Sequence, residues 1–402
     1  MQADVVIIGA GALGLSTALH CAIAGRSVIV VERDTAGSQA SGRAAGLFKS
    51  VQADELRTRL ARRSIDLAVT FSDWARVPLN VTRSGSYLVA RTGAHREYLH
   101  TEASQSASWG VDLREASASE VADEVSFYSP STEFALWCPE DVYIAEPMDL
   151  INAYRAAAVL RGVELLEHEA VTAITLSGRK VGGVETSRRS ISTSTVVDAA
   201  GAWTRQVAKF AGANVALAPV RHQLMITQPA AISPADPIVR VVDAAVYLRP
   251  ARGGLMVGGF EAGPLAFDVG APPAQMLLDR SVLDALAAQV AGEVPAALGP
   301  AAEHRGGMFT MSPDGRFVLG SVPDVPGLFV ASGCNGSGFS SSPALGENLA
   351  GQINGTSAEF AALSPARFGA LTDNALIAKG VWQYEHYYDP RTYEPSTAKE
   401  AT

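Results

Sequence analysis

A chain of 402 residues, 48% hydrophobic and 18% charged, carries enough apolar mass for two packed domains. Its net charge of −9 argues against nucleic acid or an anionic membrane as a partner. The three cysteines, Cys21, Cys138 and Cys334, are far apart and outside any C-x-x-C pattern, which argues against a disulfide framework or a zinc site and fits a reducing, cytoplasmic setting. The first strand starts almost at Met1, which leaves no room for a signal peptide, and no apolar run reaches the ~18 residues of a membrane span.

The apolar run Val5 to Ile8 ends in Gly9-Ala10-Gly11-Ala12-Leu13-Gly14, a G-x-G-x-x-G turn that opens a helix over Leu13 to Ala24, stopped by Gly25. A second apolar strand, Val28 to Val31, ends in Glu32, 18 residues past Gly14. Gly9 permits the tight turn, Gly11 lets backbone approach a pyrophosphate, and Gly14 lets helix pack on strand. The helix N-terminus offers free N–H groups to phosphate, and Glu32 can accept from ribose hydroxyls. This unit predicts a dinucleotide site and disfavours a 2′-phosphate; by itself it does not separate FAD from NAD.

A small-residue loop follows from Arg33 through Ser41, Gly42, Arg43, Ala44, Ala45 and Gly46, placed to run beneath a cofactor, with Lys49 just beyond. Residues 54 to 75 read as an amphipathic helix whose Arg57, Arg59, Arg62 and Arg63 form a solvated face rather than an anion site. Short strands and helices alternate to residue 141. A helix over 149–160 leads to strands near 163–166, 170–176 (with Val171) and 181–186, then to Val196–Ala199 ending in Ala200, Gly201 and Trp203, where backbone can pass close to a ligand. Strands are expected over 218–227, 239–249 and 255–260, and helices over 273–290 and 295–298. A strand over 328–333 enters the loop of Gly333, Asn335, Gly336, Ser337, Gly338, Phe339 and Ser340, and the next helix is read as opening at Ser342-Pro343. From Gly380 the chain is rich in Tyr and Pro without a period, a tail suited to packing on the surface, a second copy or a partner subunit.

Four stretches together, 5–32, 40–46, 196–203 and 327–350, resemble the D-amino-acid oxidase superfamily of FAD-dependent amine oxidoreductases. The second glycine loop and helix, GLFVASGCNGSGFSSSPALGENLA, carry most of the resemblance, because an NAD dehydrogenase has no need of them. The segments Arg221-His222-Gln223, Val246 to Pro250 and Gly253 to Glu261 are most similar to the flavin halves of sarcosine and dimethylglycine dehydrogenases. The resemblance implies an α/β fold: a discontinuous Rossmann-like FAD domain (1–80, 145–214 and 310–365), an inserted β-rich α+β substrate domain (81–144 and 215–309) and a tail (366–402). In the family the closing loop lies against the flavin, which places Gly307 and the 333–340 loop beside it. Arg43 stands where some relatives attach FAD to a histidine. Gly307 and Met308 stand where monomeric sarcosine oxidase has a linking cysteine, so non-covalent FAD is expected. Met256 and Ser340 replace lysines that relatives place near the flavin, which leaves O2 and an electron-transfer acceptor both open.

The implied activity is oxidation of the C–N bond of a small secondary, N-methyl or D-amino acid by hydride transfer to flavin N5, giving an imine that hydrolyses. A 2-hydroxy-acid oxidoreductase and a flavin-bearing, non-catalytic subunit of an amine dehydrogenase complex are the other readings. Tyr247 matches a substrate-side tyrosine of the relatives, and Lys49 lies near their carboxylate-binding arginine; these are the catalytic candidates. Arg249, two residues along the same strand face, and His222 are the substrate-binding candidates. The three cysteines and the carboxylates show no metal-ligand spacing.

Overall fold

The computed structural model describes residues 1–129 and 134–388. Two large sheets organise them. The first has six strands in the order Val318–Ser321, Leu328–Ser332, Val196–Asp198, Val5–Ile8, Val28–Val31, Glu164–Leu166. All its pairings are parallel except the hairpin of Val318–Ser321 with Leu328–Ser332. Its central strands are continuous apolar runs because both faces are covered. Val5, Ile7, Val28 and Val30 pack on the helices Ala12–Ile23, Pro147–Leu160 and Gly338–Ile353. Val6, Ile8, Ile29 and Val31 face the other way, onto an antiparallel sheet of Val171–Ser177, Lys180–Thr186 and Ser190–Ser192.

The second sheet has eight strands in the order Ala301–Met311, Ala218–Thr227, Gly254–Gly259, Val246–Ala251, Ile238–Val241, Ser86–Ala90, Phe134–Cys138, Arg114–Ala116. Only the pairing of Ile238–Val241 with Ser86–Ala90 is parallel. The helix Arg280–Val290 closes one face. The helices Gly93–Ser108 and Asp373–Glu385 close the other, through Tyr98, Leu99 and Tyr384. The chain is thus α/β, with a Rossmann-like parallel sheet and a separate β-rich sheet. The two meet where the 3₁₀ turn Ala40–Arg43 lies on Ala301–Met311; a Cβ on Gly307 would stand 2.8 Å from the Ala40 Cα. No helix among the described residues is long and apolar enough to cross a membrane.

Several expectations change. The strand read over 239–249 is two strands, broken by the turn Val242–Ala244 and a left-handed Ala245 at φ 53°. The helix read from 273 starts at Arg280, capped by the Asp279 carboxylate. Arg62 and Arg63 are half-exposed, yet each clasps an acid from another element, Glu140 and Glu347, in two hydrogen bonds of 2.6–2.9 Å. The region from Gly380 begins inside the helix Asp373–Glu385, capped by Thr372, while residues 389–402 of the expected tail lie outside the described residues.

The closing helix begins at Gly338, so Pro343 sits inside it. A proline has no N–H for the carbonyl four residues back, here that of Phe339. Ser342 fills the gap: its Oγ donates to the Phe339 oxygen at 2.8 Å and lies 3.2 Å from the Tyr154 hydroxyl. Ser342→Ala removes a fully buried hydroxyl and strips the half-buried Phe339 carbonyl of that donor, and we expect it to destabilise the fold by about 0.5–1.5 kcal/mol. Denaturant unfolding monitored by tryptophan fluorescence checks this; an unchanged midpoint would refute it.

Candidate active site: a dinucleotide groove and an adjoining cavity

A groove of about 380 Å³ opens at the carboxyl edge of the parallel sheet, above the N-terminus of Ala12–Ile23. Gly9 turns the chain at φ 106°, and a Cβ there would stand 2.5 Å from the Ala199 carbonyl oxygen. Gly11 caps the helix without any side-chain bond, and the Ala12 N–H donates to Ser41 Oγ at 3.0 Å. The Glu32 carboxylate accepts from the Ala10 N–H at 2.8 Å and the Asp34 N–H at 2.9 Å, which fixes it at the groove's edge. The Arg33 guanidinium lies 3.7 Å above the Trp203 ring, whose indole N–H donates to the Pro272 carbonyl.

Gly9, Gly11, Ala12, Leu13, Glu32, Arg33, Ser41, Ala44, Val171, Ala200, Gly201, Trp203, Gly336, Gly338 and Phe339 all line this groove. Its volume, its two glycine turns and its second helix N-terminus suit a dinucleotide carrying a large ring system. Cys334, which was not among the residues expected at the cofactor, lines it too, and burial pushes its thiol up to about 11.

A second cavity of about 100 Å³ adjoins the groove and shares Ala40, Ala44, Phe309, Gly336 and Phe339 with it. Arg43, Ala45, Gly46, Gly307, Ser337 and Ser340, expected at the cofactor, line this cavity instead. Gly14, Gly42, Gly333 and Asn335 line neither. Gly14 packs on Gly9, Gly42 on Gly37 and Met148, and Gly333 on Val318. Asn335 staples its loop, accepting from the Ser312 N–H at 2.9 Å and donating to the Gly333 carbonyl at 2.6 Å.

Four cations line the cavity: Arg43, Lys49, Arg240 and Arg305. Three have acid partners, which are buried for Lys49 and Arg240 and half-buried for Arg305. Lys49 Nζ lies 2.6 Å from Glu102; burial lowers its proton affinity, and Glu102 outweighs that to hold it well above the usual lysine range. Arg240 Nη1 donates to Asp141 Oδ2 and to Ser86 Oγ, both at 2.7 Å. Arg305 bonds Glu303 at 2.6 Å and Glu146 at 2.8 Å. Arg43 donates only to the Gly306 carbonyl, at 3.3 Å, and has no acid partner among the described residues. No carboxylate lines the cavity among the described residues.

His222 and Tyr247 are brought together. His222 Nε2 is 2.8 Å from the Tyr247 hydroxyl, and its ring stacks on Phe309 at 4.2 Å. Burial alone pulls the imidazole down to about 3, so it is neutral. Arg249 corrects an expectation. It has no exposed surface and does not line the cavity; Nε donates to Ala45 O, Nη1 to Pro250 O and Nη2 to Ala145 O at 2.7–2.8 Å. Each of its three nitrogens donates to a backbone carbonyl, so its task is to hold the small-residue loop. Met256 also lines neither pocket; it packs with Leu224 and Ile226 behind Ala45.

Sequence reading missed Arg240, Arg305, Phe260, Tyr387 and Tyr388 in the cavity wall. A single arginine inside the apolar run Ile238-Val239-Arg240-Val241 was the available signal for Arg240, and spacing from Tyr384 at helical period the signal for Tyr387 and Tyr388; nothing local marks Arg305 or Phe260.

The family model described as DAO, FAD dependent oxidoreductase, matches residues 4–352. The chain is 28% identical to 4-methylaminobutanoate oxidase (formaldehyde-forming) of Paenarthrobacter nicotinovorans, over 93% of this chain and 46% of that protein. It is 26% identical to the mitochondrial sarcosine dehydrogenase of Mus musculus, over 87% of this chain and 39% of that one. It therefore spans less than half the length of these two relatives. The crystal structure of L-proline dehydrogenase from P. horikoshii superposes with a TM-score of 0.83 at 23% identity, covering 91% of this chain and 98% of that one. Groove, glycine turns and family match agree: this chain belongs to the DAO family of FAD-dependent oxidoreductases.

Proposed function

We propose that the chain oxidises the C–N bond of a small secondary, N-methyl or D-amino acid. The observation that carries this reading is the cavity beside the groove, lined by four cations and several aromatic rings and by no carboxylate among the described residues. Two of the relatives are named for sarcosine and 4-methylaminobutanoate, both N-methyl amino acids.

FAD would be held without a covalent link, with Gly11, Ala12 and Ser41 at its pyrophosphate, Glu32 at the ribose, Val171 along the adenosine half, and Gly336, Gly338 and Phe339 at the flavin. Bound there, it supplies the two-electron acceptor for a hydride from the substrate carbon. The chain's own residues set the rest. Arg43, with no acid partner, together with Arg240 attracts a carboxylate into the cavity. The same positive surroundings disfavour an ammonium, so the substrate amine sheds its proton to water on binding. Its lone pair is then free to form the C=N bond as the hydride leaves, and water hydrolyses the imine to an amine and a carbonyl compound. Neutral His222 buttresses Tyr247 at the wall. The rings of Phe260, Phe309, Tyr387 and Tyr388 narrow the water-accessible volume around the amine.

The deciding experiment is anaerobic mixing of the flavin-loaded protein with sarcosine, dimethylglycine, 4-methylaminobutanoate, proline, D-alanine and lactate. Bleaching of the visible flavin band by an amino acid and not by lactate supports the reading; bleaching by lactate alone refutes it. Acid precipitation should leave the flavin in the supernatant as free FAD, because Arg43 replaces the linking histidine and the only thiol at the groove stays protonated. Colour on the pellet would overturn the non-covalent assignment. Tyr247→Phe, which removes one hydrogen bond to a charged group, should weaken substrate binding or reduction about 10- to 100-fold without loss of FAD. Reduction should accelerate as pH rises toward the substrate's own amine pKa, with no inflection from His222 above pH 5, since its charged form is lost near pH 3.

A further inference from the structure

Three side chains form a line that runs from the core to the cavity wall. The Tyr384 hydroxyl is 2.9 Å from His222 Nδ1, and His222 Nε2 is 2.8 Å from the Tyr247 hydroxyl. Tyr384 comes from the helix Asp373–Glu385, beyond the 4–352 stretch matched by the family model. The distances alone leave the direction of both bonds open, because a hydroxyl can donate or accept and a neutral imidazole does one at each nitrogen.

The surroundings set the direction. Tyr384 is fully buried; apart from His222 its hydroxyl meets the backbone N–H of Glu261, itself a donor, and no second acceptor for its proton is found among the described residues. A buried O–H without an acceptor is costly, so this proton goes to Nδ1. His222 is buried among Phe260, Phe309 and Tyr384 with no carboxylate in contact, and carries a single ring proton. With Nδ1 accepting, that proton sits on Nε2 and is donated to the Tyr247 oxygen. The hydroxyl proton of Tyr247 is then left over, and Tyr247 lines the cavity. Gly258 gives this hydroxyl its room, since a Cβ there would collide with the ring and the oxygen. The reverse direction would strand the Tyr384 proton in the core.

We propose that Tyr384 is a positioning residue that fixes the Nε2–H tautomer of His222 and so presents the Tyr247 hydroxyl to the cavity as a hydrogen-bond donor, one that reads an acceptor oxygen on the substrate and does not take a proton from its amine. The choice of a carboxylate as that acceptor rests on the proposed function; the tautomer does not.

The test uses flavin-loaded protein labelled with ¹⁵N-histidine. Long-range ¹H–¹⁵N correlation distinguishes the protonated from the bare ring nitrogen, and His222→Asn assigns the signal among the seven histidines. We expect a bare Nδ1 and a protonated Nε2 in the unsubstituted protein; a protonated Nδ1 there overturns the proposal without need of any variant. Tyr384→Phe should redistribute the proton between the two nitrogens. It should also weaken acetate binding, read from the flavin band, about 3- to 10-fold while leaving dimethylamine binding unchanged. Equal losses for acetate and dimethylamine would mark Tyr384 as a packing residue and refute the donor assignment. The tautomer is read without turnover, so failure of the amino-acid oxidation reading is separable from failure of this one.

Discussion

The loop Ala40–Gly46 is gripped from both sides, and the rest of the site depends on that grip. From below, Ser41 Oγ takes the Ala12 N–H at the start of the first helix. From above, the backbone of Gly307 allows Ala40 to lie against the long strand of the second sheet. From behind, Arg249 donates to the carbonyls of Ala45 and Ala145, while Ile144 donates to the carbonyl of Gly46. A fully buried guanidinium is expensive unless every donor is used, and here carbonyl oxygens and the Tyr143 ring share the load. Burial lowers Arg249 to about 10, which still leaves it charged at neutral pH. The loop is the partition between groove and cavity, so its rigidity fixes how the two pockets face one another.

The electrostatics of the cavity follow from what stands just outside it. Asp141, Glu102, Glu146 and Glu303 neutralise three of the four lining cations without lining the cavity themselves. Asp141 also accepts from the Ser50 N–H and from the hydroxyls of Ser50 and Ser86, so the Arg240 pair is fully solvated by protein groups. A pair satisfied in this way keeps its charge in the interior, and it holds the strands at Ser86 and Arg240 and the segment at Ser50 in one arrangement. The net excess positive charge is left to Arg43.

Legibility in the sequence tracked the distance over which each feature is encoded. The first βαβ unit was readable because its glycines, its apolar strands and Glu32 lie within one short stretch. The closing loop was readable for the same reason. Asp141 and Arg240 are 99 residues apart, and Tyr384 and His222 are 162 apart; no local pattern ties either pair. Gly380 reads as a helix breaker, yet it sits mid-helix because a Cβ there would stand 2.8 Å from that of Ala218, so the glycine lets the helix lie close on the sheet. Pro343 reads as a helix start, and its cost is met by one serine hydroxyl that composition cannot reveal. Arg249 shows the opposite failure: a cation at a reasonable spacing was read as a ligand when its side chain serves the backbone.

The aromatic wall has a consequence for how the site is divided along the chain. The groove is lined by nothing beyond Phe339, whereas the cavity takes Tyr387 and Tyr388 from the far end of the described chain, and His222 takes Tyr384. The groove and the cavity therefore draw on separable parts of the described chain: every groove-lining residue precedes residue 340, while the enclosure around His222 is finished by the helix Asp373–Glu385 and the two tyrosines after it. A change in that helix reaches the wall of the cavity without replacing any residue that lines the groove.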